Sequence, residues 1–337
     1  MKEKTLIREI VAGAVVIALL IAFPLIYPSA ALRDFVIYVI AYGLLAMSLN
    51  LLVGLTGQAA FGHAMFFASG AYVFGLLMQT DAVSIPVAIV LTVAATAVFA
   101  FLIGCICVRL TGIYFSFITL AFQMFVHSVI LTWVDLTGGD QGLQGGIPRS
   151  PFLGIDLGNS LSLYLFCAGL FIACLFIMRL VWLSPFGYVL RMIRDNPARA
   201  NFLGVNVFRV KLGVFVLSGG MASVGGIILA LFVSGAYPEF AFWTTSGDAI
   251  FMLMLGGTHL FVGPIIGALM LEVIKQYLKN LPEYNGLILG VVILVIVLGL
   301  RRGVADALYD RLIALRRKKK TVIASNEAVL VTRDDRG

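Results

Sequence analysis

From Phe35 to Thr80 the chain carries no Asp, Glu, Lys or Arg. A single helix over that run, rising 1.5 Å per residue, would be more than twice as long as the roughly 30 Å hydrocarbon core of a bilayer is thick. The run must therefore turn or break inside. Gly54-Leu55-Thr56-Gly57-Gln58 is the place, because two glycines and two polar side chains interrupt the apolar sequence there. The whole chain has the same character, 61% apolar and only 12% charged, against about 25% charged residues in a soluble domain. A soluble globular fold is excluded. Segments such as Val87 to Phe101 lack the apolar–polar alternation of barrel strands. At about 20 residues per span, 337 residues provide for about 8–10 transmembrane helices. The fold class is an all-α polytopic membrane protein with broken or re-entrant helices.

The net charge of +7 is unevenly spread between apolar runs, a pattern that encodes membrane topology rather than affinity for nucleic acid. The apolar stretch between Glu9 and Arg33 fits either a cleaved signal peptide or a first span. It exceeds the 7–15 residues of a signal-peptide core, which favours a retained span. Spans are expected at about 84–107, 112–133, 158–181 and 211–233. Between Arg179 and Lys211 lie six basic residues and the single acid Asp195, so this segment faces the cytoplasm. The flanking loops carry Asp135, Asp140 and Asp156 against Arg149, and then Glu239 and Asp248, and fit the outer side. Residues 249–271 are uncharged but interrupted at Gly256-Gly257-Thr258-His259 and Gly263-Pro264. A basic tail from Arg301 to Lys320 should be cytoplasmic. With a last span at 284–300, only a re-entrant hairpin or two crossings over 249–271 delivers it there. Backbone breaks of this kind survive at membrane depth only inside protein or beside a wet cavity. The similar runs at 57–63 and 257–263 invite an internal inverted repeat. Residues 1–303 thus form a transmembrane domain with a cytoplasmic loop at 184–210, and 304–337 a basic cytoplasmic tail. Within that tail Val304, Leu308, Leu312 and Leu315 recur at helical spacing, while the last residues from Thr321 lack periodicity.

Chemistry-bearing residues are few. The three histidines His63, His127 and His259 form no histidine–acid cluster in sequence, and there is neither a G-x-S-x-G elbow nor a G-x-x-x-x-G-K-[ST] phosphate loop. No catalytic or metal residue is assigned. Cys105, Cys107, Cys167 and Cys174 fall inside spans as small apolar fillers. Ion-driven carriers hold ionisable groups within their spans, whereas Arg109, Asp248 and Glu272 lie at loops or span ends. A transporter without an ion relay or an ATP site borrows its energy from a partner. Asn50, Thr56, Gln58 and His63 coincide with the first break and are candidates, with Gly57, for lining a substrate pathway. Gly256, Gly257, Thr258 and His259 are the counterparts at the second break. Gln123 and His127 are read as helix-to-helix hydrogen-bonding groups.

In the cytoplasmic loop, Asn196-Pro197 begins a helix, since asparagine caps free amides and proline is preset for the first turn. Gly204 ends it. The short helix leaves Phe202 and Leu203 exposed, suited to a groove on a soluble partner. A lipid-lying amphipathic connector is the alternative.

Three runs carry a resemblance: Leu49 to Ala64 with Gly138-Gly139-Asp140-Gln141-Gly142-Leu143; Arg194 to Leu212; and Trp243 to Gly247 followed by Leu255 to Thr258 and Gly263 to Ala268. Together they extend over roughly residues 35 to 300, and the sequence resembles the branched-chain amino acid ABC transporter permeases of the LivM type. The resemblance implies a permease subunit in a bacterial cytoplasmic (inner) membrane that binds no cofactor itself. A LivH-like second permease, two cytoplasmic ABC ATPase subunits holding ATP and Mg, and an extracytoplasmic amino-acid-binding protein are the implied partners. Arg194, Asp195, Asn196, Pro197, Ala198, Ala200, Phe202, Leu203 and Gly204 then form the ATPase-coupling segment. Arg199 stands between the two alanines, where such permeases carry an acidic residue, so no ion pair to the ATPase is assigned. Branched-chain amino acids are the implied substrates, with urea or amides as alternatives inside the class. Outside it, the alternative is a self-sufficient secondary carrier or channel for a small polar solute.

Overall fold

The computed structural model describes residues 29–80, 83–143, 147–148, 157–278 and 285–299, together with residues 303, 304 and 306. The expected first span before Ser29, the end of the loop at 149–156 and the tail from 307 onward lie outside the described residues. Among those described there is no strand, only an isolated antiparallel bridge between Leu143 and Ala236.

Among the described residues five helices are long and apolar enough to cross a membrane. They are α1 (Ala30–Thr56), α3 (Ile85–Cys107), α4 (Ile113–Thr132), α5 (Ser160–Leu183) and α8 (Val207–Val233). Between them come the shorter α2 (Ala64–Gln79), α6 (Pro185–Asp195) and α7 (Pro197–Phe202). After α8 follow α9 (Trp243–Gly256), α10 (Gly263–Leu278) and α11 (Asn285–Gly299). The chain is therefore a multi-pass helical membrane protein, as its composition requires. The spans begin and end within a few residues of where the sequence places them. The one at 211–233 starts earlier, at Val207, because the Asn206 side chain accepts from the Arg209 N–H at 3.0 Å and nucleates the first turn, drawing Arg209 and Lys211 into the helix.

Helices α1 and α8 form the axis: 78% and 89% of their most apolar windows are buried, against 28%, 22% and 39% for α3, α4 and α5, which keep a lipid-facing side. Small residues make the axis possible. Lipid provides no hydrophobic drive between helices, so association depends on close backbone approach, and α8 supplies Gly219, Gly220, Ala222, Ser223, Gly225 and Gly226. A Cβ on Gly226 would overlap the Phe67 carbonyl of α2. Around this contact Phe66, Phe99, Phe115 and Phe215 meet edge to face at centroid distances of 5.4–6.1 Å. Cys107, Cys167 and Cys174 are buried as fillers, with Cys105 half-buried.

Substituting Gly226 by Val should destabilise the chain by more than the roughly 1–3 kcal/mol of an ordinary overpacked core site, because backbone blocks the new side chain. The expected outcome is a lower Tm and loss of monodisperse protein in detergent, whereas Gly169→Ala, which meets open space, should leave both unchanged.

Candidate functional site: two helix breaks beside the coupling loop

The first break lies at the expected glycines. Gly57 adopts φ +72, a left-handed conformation open to glycine at little cost. Beyond it the chain does not leave the bundle. Residues 57–63 climb back, and His63 Nε2 comes to 2.9 Å from the Ser48 hydroxyl, eight residues and about 12 Å up α1 from its end. Helix α2 thus starts at depth, and its free backbone groups find partners inside the protein. The Ser116 hydroxyl donates to the Ala59 carbonyl at 2.7 Å, and the Ala64 N–H donates to Ser246 Oγ at 2.9 Å. Ser246 in turn donates to Gln123 Oε1 at 2.7 Å, and Gln123 Nε2 donates to the carbonyls of Ala241 and Phe242 at 3.1 and 2.8 Å. One glutamine on α4 therefore satisfies the starts of both α2 and α9. The sequence had marked Gln123 only as a generic helix-to-helix donor; Ser246, 123 residues away, had no local signal as its partner.

The second break is a tight hairpin. Helices α9 and α10 pack on each other, and Cβ atoms on Gly256 and Gly267 would overlap the carbonyls of Gly263 and Met252. The hairpin or double crossing required by the charge parity is what the chain forms. The two breaks meet: the Thr258 carbonyl lies 3.2 Å from where a Cβ of Gly54 would sit. They share one level but differ in form, one re-entering as an extended segment and the other closing as a turn. Asp306 closes the second. Its carboxylate accepts the N–H groups of His259 and Leu260 at 3.2 and 3.0 Å and lies 3.2 Å from His259 Nδ1. His259 is thus part of a histidine–acid pair invisible in the linear sequence. The carboxylate caps a turn, however, and offers no adjacent nucleophile.

Asn50, Thr56, Gln58 and His63 are all buried in this conformation, Asn50 with neither amide atom hydrogen-bonded. Gly256 and Gly257 are buried too, whereas Gly57, Thr258 and His259 reach the surface wholly or in part. The Ser48–His63 contact is a serine–histidine pair that sequence reading missed. It is sealed from solvent, and His63 Nδ1 has no partner to orient it, so the pair binds α1 to α2 and, through the Ser218 hydroxyl donating to the Ser48 carbonyl at 2.5 Å, to α8.

The loop at 184–210 forms as its caps dictate. Asn196 Oδ1 accepts from the Arg199 N–H at 2.9 Å, Pro197 opens α7, and Gly204 turns away at φ +84. Ala200 is fully buried, while Phe202 and Leu203 are 92% and 68% exposed. Asp195 and Ala198 are exposed beside them. An open recess of 440 Å³ lined by Asn201, Gly204, Val205, Asn206, Val207 and Phe208 adjoins them. Arg194, immediately before α7, donates from Nη1 to the Gly54 carbonyl at 2.5 Å and packs against Gly57. The last turn of α6, which leads into the exposed helix, is thereby tied to the first break. At the opposite end the loops after α4 and α8 pair, Leu143 N–H donating to the Ala236 carbonyl at 2.8 Å.

Two of the ionisable groups expected at loops or span ends lie inside helices instead. Asp248 and Glu272 lie within α9 and α10, and Lys275 Nζ is 2.6 Å from Asp248 Oδ2 and 3.8 Å from Glu272 Oε1.

A bundle of membrane helices broken beside an exposed, capped loop helix is the architecture of a transport permease. A family profile described as "Branched-chain amino acid transport system / permease component" matches residues 31–297, and the chain belongs to that family. It is similar to the high-affinity branched-chain amino acid transport system permease protein LivM of Salmonella typhimurium, with 27% identity over 74% of this chain and 64% of the relative. LivM of Escherichia coli strain K12 matches at 26% identity over 81% of this chain and 69% of the relative. The ribose import permease protein RbsC of the same strain is 35% identical over 33% of this chain and 37% of its own. The chain thus spans about two thirds of the length of the LivM relatives it matches. No solved structure matches it.

Replacing Gln123 by Leu should strand the Ser246 hydroxyl proton and the Ala241 carbonyl, while the Phe242 carbonyl keeps the Thr245 N–H, costing about 1–3 kcal/mol per buried group left unpaired. In a double-mutant cycle with Ser246→Ala, thermal unfolding in detergent should show non-additive losses, since both changes break one network.

Proposed function

We propose that the chain is the transmembrane permease subunit of an ATP-binding-cassette importer for branched-chain amino acids, working in the bacterial cytoplasmic membrane with a LivH-like second permease. Two cytoplasmic ATPases bind ATP and Mg and supply the energy, and an extracytoplasmic amino-acid-binding protein delivers the solute; this subunit is itself non-catalytic. Family membership and the likeness to LivM support the reading. The observation that carries it is the coupling segment. Its capped helix presents Phe202 and Leu203 to solvent while Arg194 grips the last turn of α1. A push on α7 from an ATPase groove is transmitted through a 2.5 Å charge-assisted hydrogen bond to the level where both breaks meet.

Alternating access follows as separation of the α1 end from the 257–258 turn. This movement would uncover the buried Asn50, Thr56, Gln58, Gly256 and Gly257, beside Gly57 and Thr258 that already reach the surface, with His63 deeper and His259 at the mouth. The unpaired Asn50 amide, next to Gly54, would find a partner in water or solute once the contact opens. The paired loops around Leu143 and Ala236 form the landing surface for the binding protein. A self-sufficient secondary carrier is the second reading, favoured only by Asp248, Glu272 and Lys275 at depth.

A mild-detergent pull-down of the tagged chain decides between them. P-loop ATPases and a second permease should co-purify. A chain that emerges alone and still carries solute in liposomes would establish the carrier instead. Leu203→Asp should lower uptake by about tenfold or more and weaken ATPase retention, since a charge placed in an apolar contact is left unpaired, with no loss of membrane insertion. Uptake unchanged by this substitution would remove α7 from the mechanism.

A further inference from the structure

The Asp248–Lys275 pair joins α9 to α10 beside Tyr42 of α1. Lys275 Nζ lies 5.5 Å from the Tyr42 ring centroid, and Tyr42 is seven residues, about 10 Å, inside the uncharged run that starts at Phe35. At this depth the Lys275 and Asp248 side chains remain 27% and 19% exposed. Charged groups inside a membrane face the bundle interior or a water-filled cavity, because hydrocarbon solvates them poorly. The surroundings are open. A Cβ on Gly247, next to Asp248, would meet nothing within 4 Å, and Thr244, one turn earlier, is exposed.

We propose that α1, α9 and α10 border a cleft in the assembled transporter that lines its aqueous route, and that Asp248, Glu272 and Lys275 form a subsite there for a solute bearing both an ammonium and a carboxylate. The carboxylates accept hydrogen bonds from the solute's ammonium, and the Lys275 ammonium donates to its carboxylate. The solute takes over ion pairs that Lys275 makes with Asp248 and Glu272, without changing the net charge of the site. Tyr42 closes the cleft from α1 with its ring against the lysine. The assignment deepens the importer reading and rests on it.

Thiol labelling in native membranes tests the cleft, using the assembled complex with its four native cysteines replaced. Gly247→Cys is compared with Val98→Cys on the exposed face of α3. Gly247→Cys should react with a small hydrophilic methanethiosulfonate about tenfold faster than Val98→Cys, as expected for a group in water rather than in lipid. Reaction with a lipid-soluble maleimide alone would show that the cleft faces lipid, and reaction with neither would show a dry subunit contact. Either result overturns the proposal. Lys275→Gln should then lower leucine uptake by about tenfold through loss of a charge-assisted hydrogen bond, with Gly247→Cys labelling retained in that background. Unchanged leucine uptake would refute the subsite. A complex that carries no leucine even before substitution counts against the importer reading, and the labelling still decides the cleft.

Discussion

Every backbone polar group placed in hydrocarbon must find its partner within the protein, and the rest of this structure is arranged around that requirement. Intact helices meet it alone. Residues 57–63 and the approach to α9 cannot, and their carbonyls and amides are served by Ser116, Ser246 and Gln123. Because Gln123 reaches both α2 and α9 through Ser246, the two broken segments are held in one register by a single side-chain network. Loss of one member leaves several buried groups unsatisfied at once, so the network is cooperative in a way that separate helix contacts are not. The small residues of α8 complete the arrangement by letting α2 come within backbone distance of the axis.

The second organising feature is that the loop at 184–210 holds the first break, which in turn touches the second. Arg194 holds the Gly54 carbonyl, Thr258 sits against Gly54, and Asp306 holds the amides that follow Thr258. These contacts are few, polar and near solvent, whereas the opposite half of α1 is packed among aromatic rings. A lever that pulls on Arg194 acts on a carbonyl at the end of a helix rather than on one already committed within it. The polar clasp can be broken and remade without disturbing the apolar axis.

Much of the fold is legible in one-dimensional patterns. Charge-free runs give the spans, glycines give the break at Gly57, and Asn196, Pro197 and Gly204 give the start and end of α7, because each signal acts over a few neighbouring residues. The parity of basic segments even calls for a re-entrant hairpin or two crossings where α9 and α10 lie. Partnerships across long separations are not legible in this way. Gln123 with Ser246, His259 with Asp306, and Lys275 with Asp248 each join residues whose proximity depends on how helices pack. Asp248 looked like a loop acid because it borders an uncharged run; only the inward return of the chain after α8 carries it to depth.

By itself the sequence determined that this chain lies in a membrane as a broken helical bundle with a basic loop ready to meet a partner, since hydropathy, charge placement and capping are local properties. The tertiary structure decided that the two glycine breaks touch, that an arginine of the loop grips one of them, and that three charges gather beside Tyr42. Those outcomes depend on backbone approach distances and side-chain reach between helices, quantities that no local pattern encodes.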